Sequence, residues 1–343
     1  MSERERVTFG VKTSQMGVSY EEILAVWRDA DRIPIIEHAW LWDHMVPLRG
    51  DTLEAWTLLA ALAAQTTRLA LGVIVTSNRL RPPALLAKMA ATVDIISAGR
   101  LVLGIGAGGA LLPPAHPLAA ENTSVREFEA YGIPLVPVSQ AIADLGEACT
   151  IVRRMWTEHE PFDFNGASYT LKGAVCEPKP LQAPGPPIMI GSGVEKLGLR
   201  VVAEHADLWN CPTPTVAEFR SKDEALREHC AAIGRDPSEI TRSIQLIVRC
   251  KDPAEPASTR NHVLELIDAG VTHIVLAALA CPGPPAATMS SDSPSPSPNS
   301  SALAPTAHAT SSSPPCCTTS ERLPFPRTSS TSPASSPTRN GPS

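Results

Sequence analysis

Residues 43 and 44 are an Asp-His pair that closes the apolar run 35–42. Histidine is the side chain whose ordinary pKa lies closest to neutral pH, so such a pair at a strand end can exchange a proton with a bound molecule. An Asp-His hydrogen bond with a purely structural role is the competing reading. A second cluster, Gly191, Ser192 and Gly193, joins the apolar run 187–190 to a helical pattern. Backbone amides, the Ser192 hydroxyl and the positive helix end make an anion site there, suited to a phosphate, and capping of the helix by Ser192 is compatible with it. The third cluster is GIGAGG at 104–109. Its Gly104, Gly106 and Gly109 have the spacing of a dinucleotide fingerprint, but Pro113, Pro114 and Pro117 deny the helix start that fingerprint needs. Gly106, Ala107 and Gly108 therefore read as a loop whose backbone can approach a flat ring or a phosphate, with a merely tight turn as the alternative.

Strands ending in such loops must be positioned by a larger frame. Leu69 to Gly109 forms one βαβ unit: a β-branched run at 69–75, a Pro-bounded loop, and a helix over 84–97 with Pro82 and Pro83 at its start and Gly99 at its C-cap. The next strand covers 101–105. The same grammar gives strands at 7–11, 35–42, 187–190, 207–210, 243–249 and 272–277, eight in all. Helices are predicted over 20–31, opened by a Ser19/Glu22 capping box, and over 194–205, 216–233 and 258–268. Eight alternating repeats with short connections predict an α/β fold, a (β/α)8 TIM barrel. The stretch 107–186 after the fourth strand is too long for a simple loop. With one strong helix over 139–156, it reads as an insertion over the barrel mouth.

Composition narrows the function classes. Hydrophobic residues make up 43% of 343 and the formal net charge is −6, which allows a large core and leaves no basic face for nucleic acid. No apolar run reaches membrane-spanning length and no signal peptide opens the chain, so the expected location is cytoplasmic, without a membrane partner. The eight cysteines include no CxxC pair and no clear metal spacing, which predicts reduced thiols and no metal site.

From Cys281 the text changes to Ser, Pro, Thr and Ala without hydrophobic periodicity. The chain thus divides into a barrel over 1–280 and a low-complexity tail over 281–343 that is expected to be disordered. The change falls where a barrel needs its last helix, so that helix is expected to be missing. A reading-frame shift in a GC-rich gene accounts for this better than a genuine disordered tail.

Five ordered motifs carry a family resemblance: FGVKTSQMGVSYEEI, HAWLWDHM, the 69–109 unit, EAYGIPL and PPIMIGSGVEKLGLRVVAEHADLWN. Together they resemble the luciferase-like monooxygenase superfamily, and within it the coenzyme F420-dependent oxidoreductases of actinobacterial type. The resemblance covers roughly residues 7–280. It implies a deazaflavin seated against Asp43 and His44, with His44 exchanging a proton with substrate while hydride moves to or from the cofactor. It also implies a non-proline cis peptide between Ile74 and Val75, next to Thr76, beneath the cofactor ring. An ordinary trans strand end is the alternative there. Sugar-phosphate dehydrogenases of the family carry a glutamate where this chain has Gly109 and an aromatic residue where it has Leu48, so hexose-phosphate oxidation is disfavoured. Trp40, Val46, Leu48, Leu111 and Leu112 suggest an apolar substrate mouth or, alternatively, core.

The resemblance implies hydride transfer to or from an alcohol, carbonyl or activated double bond of a small molecule, in a chain able to form a homodimer. An FMN-dependent monooxygenase fed by a flavin reductase is the alternative flavoprotein. The two differ in reaction, because a deazaflavin lacks the N5 that supports oxygen chemistry. A third reading is an inactive product of a frame-shifted gene.

Overall fold

Short apolar runs cannot leave their backbone amides unpaired, and runs joined by helices pair in parallel. The computed structural model describes residues 6–46, 50–109, 123–212, 215–248 and 255–278. Within them, β1 (Thr8–Lys12), β2 (Ile36–Leu41), β3 (Ala70–Val73), β5 (Leu101–Gly106), β8 (Ile188–Gly191), β9 (Leu208–Cys211), β10 (Thr241–Val248) and β11 (His273–Ala278) form one parallel sheet. Pairing of β1 with β11 and of β3 with β5 closes it. The eight barrel strands are those expected from the sequence. The run 69–75 is interrupted: β3 stops at Val73, the Ile74–Val75 peptide is cis, and β4 (Thr76–Ser77) resumes the pairing with β5.

Helices ring the sheet. α1 (Tyr20–Arg32) starts at the Ser19/Glu22 capping box. α3 (Pro83–Ile96), α7 (Val216–Ala232) and α8 (Glu255–Asp268) match their patterns. The sequence named no helix between the second and third strands, yet α2 (Ala55–Ala63) lies there, with the Glu54 carboxylate accepting from the amides of Trp56 and Thr57. Its run AWTLLAALA lacks an amphipathic period because most of it is buried.

The insertion takes a different form from the one expected. α5 (Val138–Thr157) is not a lid. It packs between α3 and α6 (Gly198–His205) as the fourth helix of the ring, with the Trp156 indole donating to the Ala87 carbonyl at 3.0 Å. The additions are α4 (Thr123–Ala130) and an antiparallel hairpin of β6 (Phe162–Asn165) and β7 (Thr170–Ala174). The tail from 281 and the expected loss of the last helix lie outside the described residues.

The inside of the barrel departs from the usual branched aliphatic filling. The rings of His38 and His273 stack with centroids 3.8 Å apart. Trp40 donates to His38 Nδ1 at 2.7 Å, and Ser243 Oγ shares a hydrogen bond of 2.8 Å with His273 Nδ1. Gly10 makes room for this column, since a Cβ there would fall 1.8 Å from His38 Nδ1. Trp40, fully buried against Ile74, Met189 and Val275, is therefore core and not part of a substrate mouth.

Burial and the neighbouring His273 push the His38 pKa down to about 2, and burial pushes His273 down to about 4. Both rings are neutral in the fold, whereas in the unfolded chain they take up protons below about pH 6.5. Their contribution to stability is complete above that pH and is lost as pH falls toward the folded values. Lowering pH from 7 to 5.5 should remove about 2–3 kcal/mol and lower Tm by several degrees, before carboxylates titrate. A calorimetric Tm that is flat over this range would show the rings to be ionised or exposed.

Candidate active site

A parallel barrel brings the C-terminal ends of all its strands to one face, and a cavity of about 520 Å3 opens there. Asp43, His44, Ile74, Val75, Gly106, Ala107, Gly108, Gly191, Ser192 and Gly193 all line it. Four separate sequence motifs thus meet at one place. Thr76 does not reach the cavity: it is fully buried behind it, with its hydroxyl donating to Asp43 and accepting from the Trp56 indole at 3.0 Å.

The glycines have a steric role that the sequence left open. Gly106 and Gly191 are register partners across β5 and β8. A Cβ on Gly106 would lie 2.8 Å from Val75 Cγ2, and one on Gly191 would lie 3.0 Å from both Val75 methyls. The Val75 side chain is therefore seated between two bare strand ends and forms part of the cavity floor.

The segment 191–193 differs from expectation. α6 begins at Gly198 rather than Val194, so Ser192 is not its cap. The Ser192 hydroxyl accepts from the Val194 amide at 3.4 Å and lies where a Cβ of Gly198 would fall. Such a local side-chain-to-backbone bond competes with helix initiation and leaves a turn at 195–197. Lys222 Nζ fixes the loop by donating to the Gly193 carbonyl at 2.9 Å.

The Asp-His pair is divided between two partners. Asp43 receives Arg81 through both oxygens, at 2.7 and 3.1 Å, together with the Ser77 amide and Thr76 hydroxyl. Arg81 also binds Glu54. Burial works against the charge of Arg81, but Asp43 and Glu54 outweigh it and hold its pKa above the usual value. Asp43 thus clamps the end of β2 to the loop leading into α3.

His44 turns the other way, with Nδ1 3.5 Å from the buried carboxylate of Glu127 on α4. Burial raises the Glu127 pKa, but the hydrogen bond with His44, the Met45 and Val46 amides and the charge of His44 bring it below the ordinary carboxylate value. The His44 side chain is 43% exposed to the cavity side while its partner is 6% exposed.

Glu127, Arg81, Trp42 and Lys12 were not singled out from the sequence. Lys12 carried a usable signal, as the one charged residue of β1. Val46 is partly buried beside Glu127, while Leu48, Leu111 and Leu112 lie outside the described residues. The apolar wall of the cavity comes instead from α5, through Val138, Ala141, Ile142 and Leu145.

Fold and site define a (β/α)8 barrel with a ligand cavity at the C-terminal strand ends. The chain belongs to the luciferase-like monooxygenase family, which matches residues 7–280. An F420-dependent glucose-6-phosphate dehydrogenase of Kineococcus radiotolerans is 31% identical over 230 residues, 64% of this chain and 62% of that one. A phthiodiolone/phenolphthiodiolone dimycocerosates ketoreductase of Mycobacterium sp. (strain JLS) is 28% identical over 232 residues, 65% of this chain and 53% of that one. The chain spans less than two thirds of the length of these relatives. In fold it is similar to an F420-dependent secondary alcohol dehydrogenase solved with an F420-acetone adduct, with a TM-score of 0.66 at 17% identity over 80% of this chain and 93% of that one.

Removing the guanidinium tests the clamp. Arg81→Met leaves a buried carboxylate without a counter-charge, which should lower unfolding stability by about 3–5 kcal/mol. Urea denaturation reads this directly. A loss below about 1 kcal/mol would show that Asp43 is hydrated or protonated.

Proposed function

We propose that the protein is a coenzyme F420-dependent oxidoreductase that transfers a hydride between the deazaflavin and an organic alcohol, carbonyl or activated double bond. The observation that carries this reading is the convergence of His44, the Val75 floor and the 191–193 loop on one cavity. The relative named as an F420-dependent dehydrogenase supports the choice of cofactor.

The residues fit such a group. The bare strand ends around Val75 leave a floor for a ring, and the loop 191–193 offers the Ser192 hydroxyl for a phosphate. The Trp42 indole N–H is buried at the cavity without a partner among the described residues, as a site built for a polar ligand would leave it. When bound, F420 supplies a two-electron carrier that takes or gives hydride.

The proton work falls to His44. A carboxylate at Nδ1 favours the tautomer with the proton there, leaving Nε2 to take a proton from an alcohol or, when charged, to give one to a carbonyl oxygen. Glu127 orients the ring. Asp43, with both oxygens engaged by Arg81, is a positioning residue for this strand end.

Geometry also bears on the substrate. A Cβ on Gly109 would fall 2.7 Å from Phe128 Cε2 and from Ser124 Cβ, so this position has no room for a glutamate. That disfavours hexose phosphate and, with the α5 wall, favours a more apolar molecule.

Titration of the purified protein with F420 and with FMN tests the cofactor. Gly193→Asp should weaken F420 binding at least tenfold, about 1.4 kcal/mol, through repulsion and bulk. Tight FMN binding without F420 binding would overturn the reading. His44→Asn should keep cofactor affinity and lower turnover about a hundredfold. Equal losses of stability and activity in that variant would instead assign His44 a structural role.

A further inference from the structure

Burying an ammonium without a counter-charge is unfavourable, so where a fold keeps one inside a cavity the missing anion is expected from a ligand. Lys12, the last residue of β1, is a half-buried ammonium of this kind. It lines the cavity, and no other lysine or arginine among the described residues does. Its Nζ donates to Gln245 Oε1 at 2.8 Å and lies 5.8 Å from the centre of the Trp42 ring. No carboxylate among the described residues forms an ion pair with it. The other charges of the cavity are accounted for, Asp43 by Arg81 and His44 by Glu127.

The ammonium is also held in place. Gln245 Nε2 donates to Asn210 Oδ1 at 2.8 Å and Asn210 Nδ2 donates to Ser243 Oγ at 3.1 Å, which fixes the Gln245 carbonyl toward Lys12. The side chains recorded against Lys12, Gln245 on β10 and Trp42 just after β2, are neutral, as are its register partners Trp40 on β2 and Ala277 on β11. One of the three ammonium donors is thereby used, which leaves two for a ligand. Burial pulls the Lys12 pKa down to about 8, so the group is still charged at neutral pH but is sensitive to any anion placed beside it.

We propose that Lys12 is the counter-ion of the bound cofactor ring and the residue that selects an anionic deazaflavin over a neutral flavin. This inference rests on the F420 reading. The two rings differ in the property a lone ammonium detects. The 8-hydroxyl of the deazaflavin is acidic, and on ionisation its charge is shared through the conjugated ring with the pyrimidine edge. The oxidised FMN ring carries no such charge. A fixed ammonium lowers the free energy of the ionised ring and does little for the neutral one.

The test uses the full chain and two variants, Lys12→Met, which keeps the length of the side chain, and Lys12→Arg, which keeps the charge. F420 and FMN affinities are measured at pH 7, and the visible absorbance of bound F420 is followed against pH to read ring ionisation. Thermal melts check that each variant folds. Expected are ionisation of the bound ring at lower pH in the wild type than in free F420, and at least tenfold weaker F420 binding in Lys12→Met. That variant should also raise the ring's ionisation by about one pH unit, leave FMN affinity unchanged, and see F420 affinity largely restored in Lys12→Arg. Equal F420 affinity and equal ring ionisation in wild type and a folded Lys12→Met would overturn the assignment while leaving the F420 reading intact. Wild-type protein that takes FMN and not F420 would overturn the F420 reading itself.

Discussion

Closure of eight parallel strands into a ring is the constraint on which the rest of this structure depends. Once β1 pairs with β11 and β3 with β5, every strand must deliver its C-terminal end to the same face. Lys12, Asp43, Val75, Gly106, Gly191 and Asn210 come from six different strands or strand ends, and only closure makes them neighbours. Side chains inside a closed ring must also satisfy each other. The column from Gln245 through Asn210 and Ser243 to His273 does this with neutral hydrogen-bonding groups, and the neutral His38 ring stacks on its end.

Charge follows a separate logic at the mouth. Asp43 and His44 are adjacent in sequence, but successive residues leaving a strand point to opposite sides. One therefore meets Arg81 behind the sheet end and the other meets Glu127 above it. The first pairing builds the wall and the second prepares an acid–base group. Both pairings need segments that come late to the barrel frame: the loop before α3 and the short helix α4.

Loop 107–186 shows how packing overrides a reading of length. Its long helix has the polar and apolar faces of any ring helix, and the ring had an open position between α3 and α6. Burial of Ile151, Val152 and Trp156 fills that position, while the N-terminal turn of the same helix still reaches the cavity. Helix α2 was missed for a related reason. A segment buried on nearly all sides carries no period, and its N-cap is a glutamate rather than one of the usual capping residues.

By itself the sequence determined the barrel, because eight apolar runs with helical spacers have few ways to pair, and it determined the strand-end motifs that carry Asp43, His44 and the two glycine loops. Those are local signals, each written within about ten residues of chain. Only the tertiary structure decided which partner each charge takes, since Arg81 lies 38 residues from Asp43 and Glu127 lies 83 from His44, and neither stands in a periodic pattern that points across such a distance. The same holds for the isolation of Lys12. Whether a half-buried ammonium is paired depends on every surrounding element at once, and that is a property of the closed ring rather than of any stretch of chain.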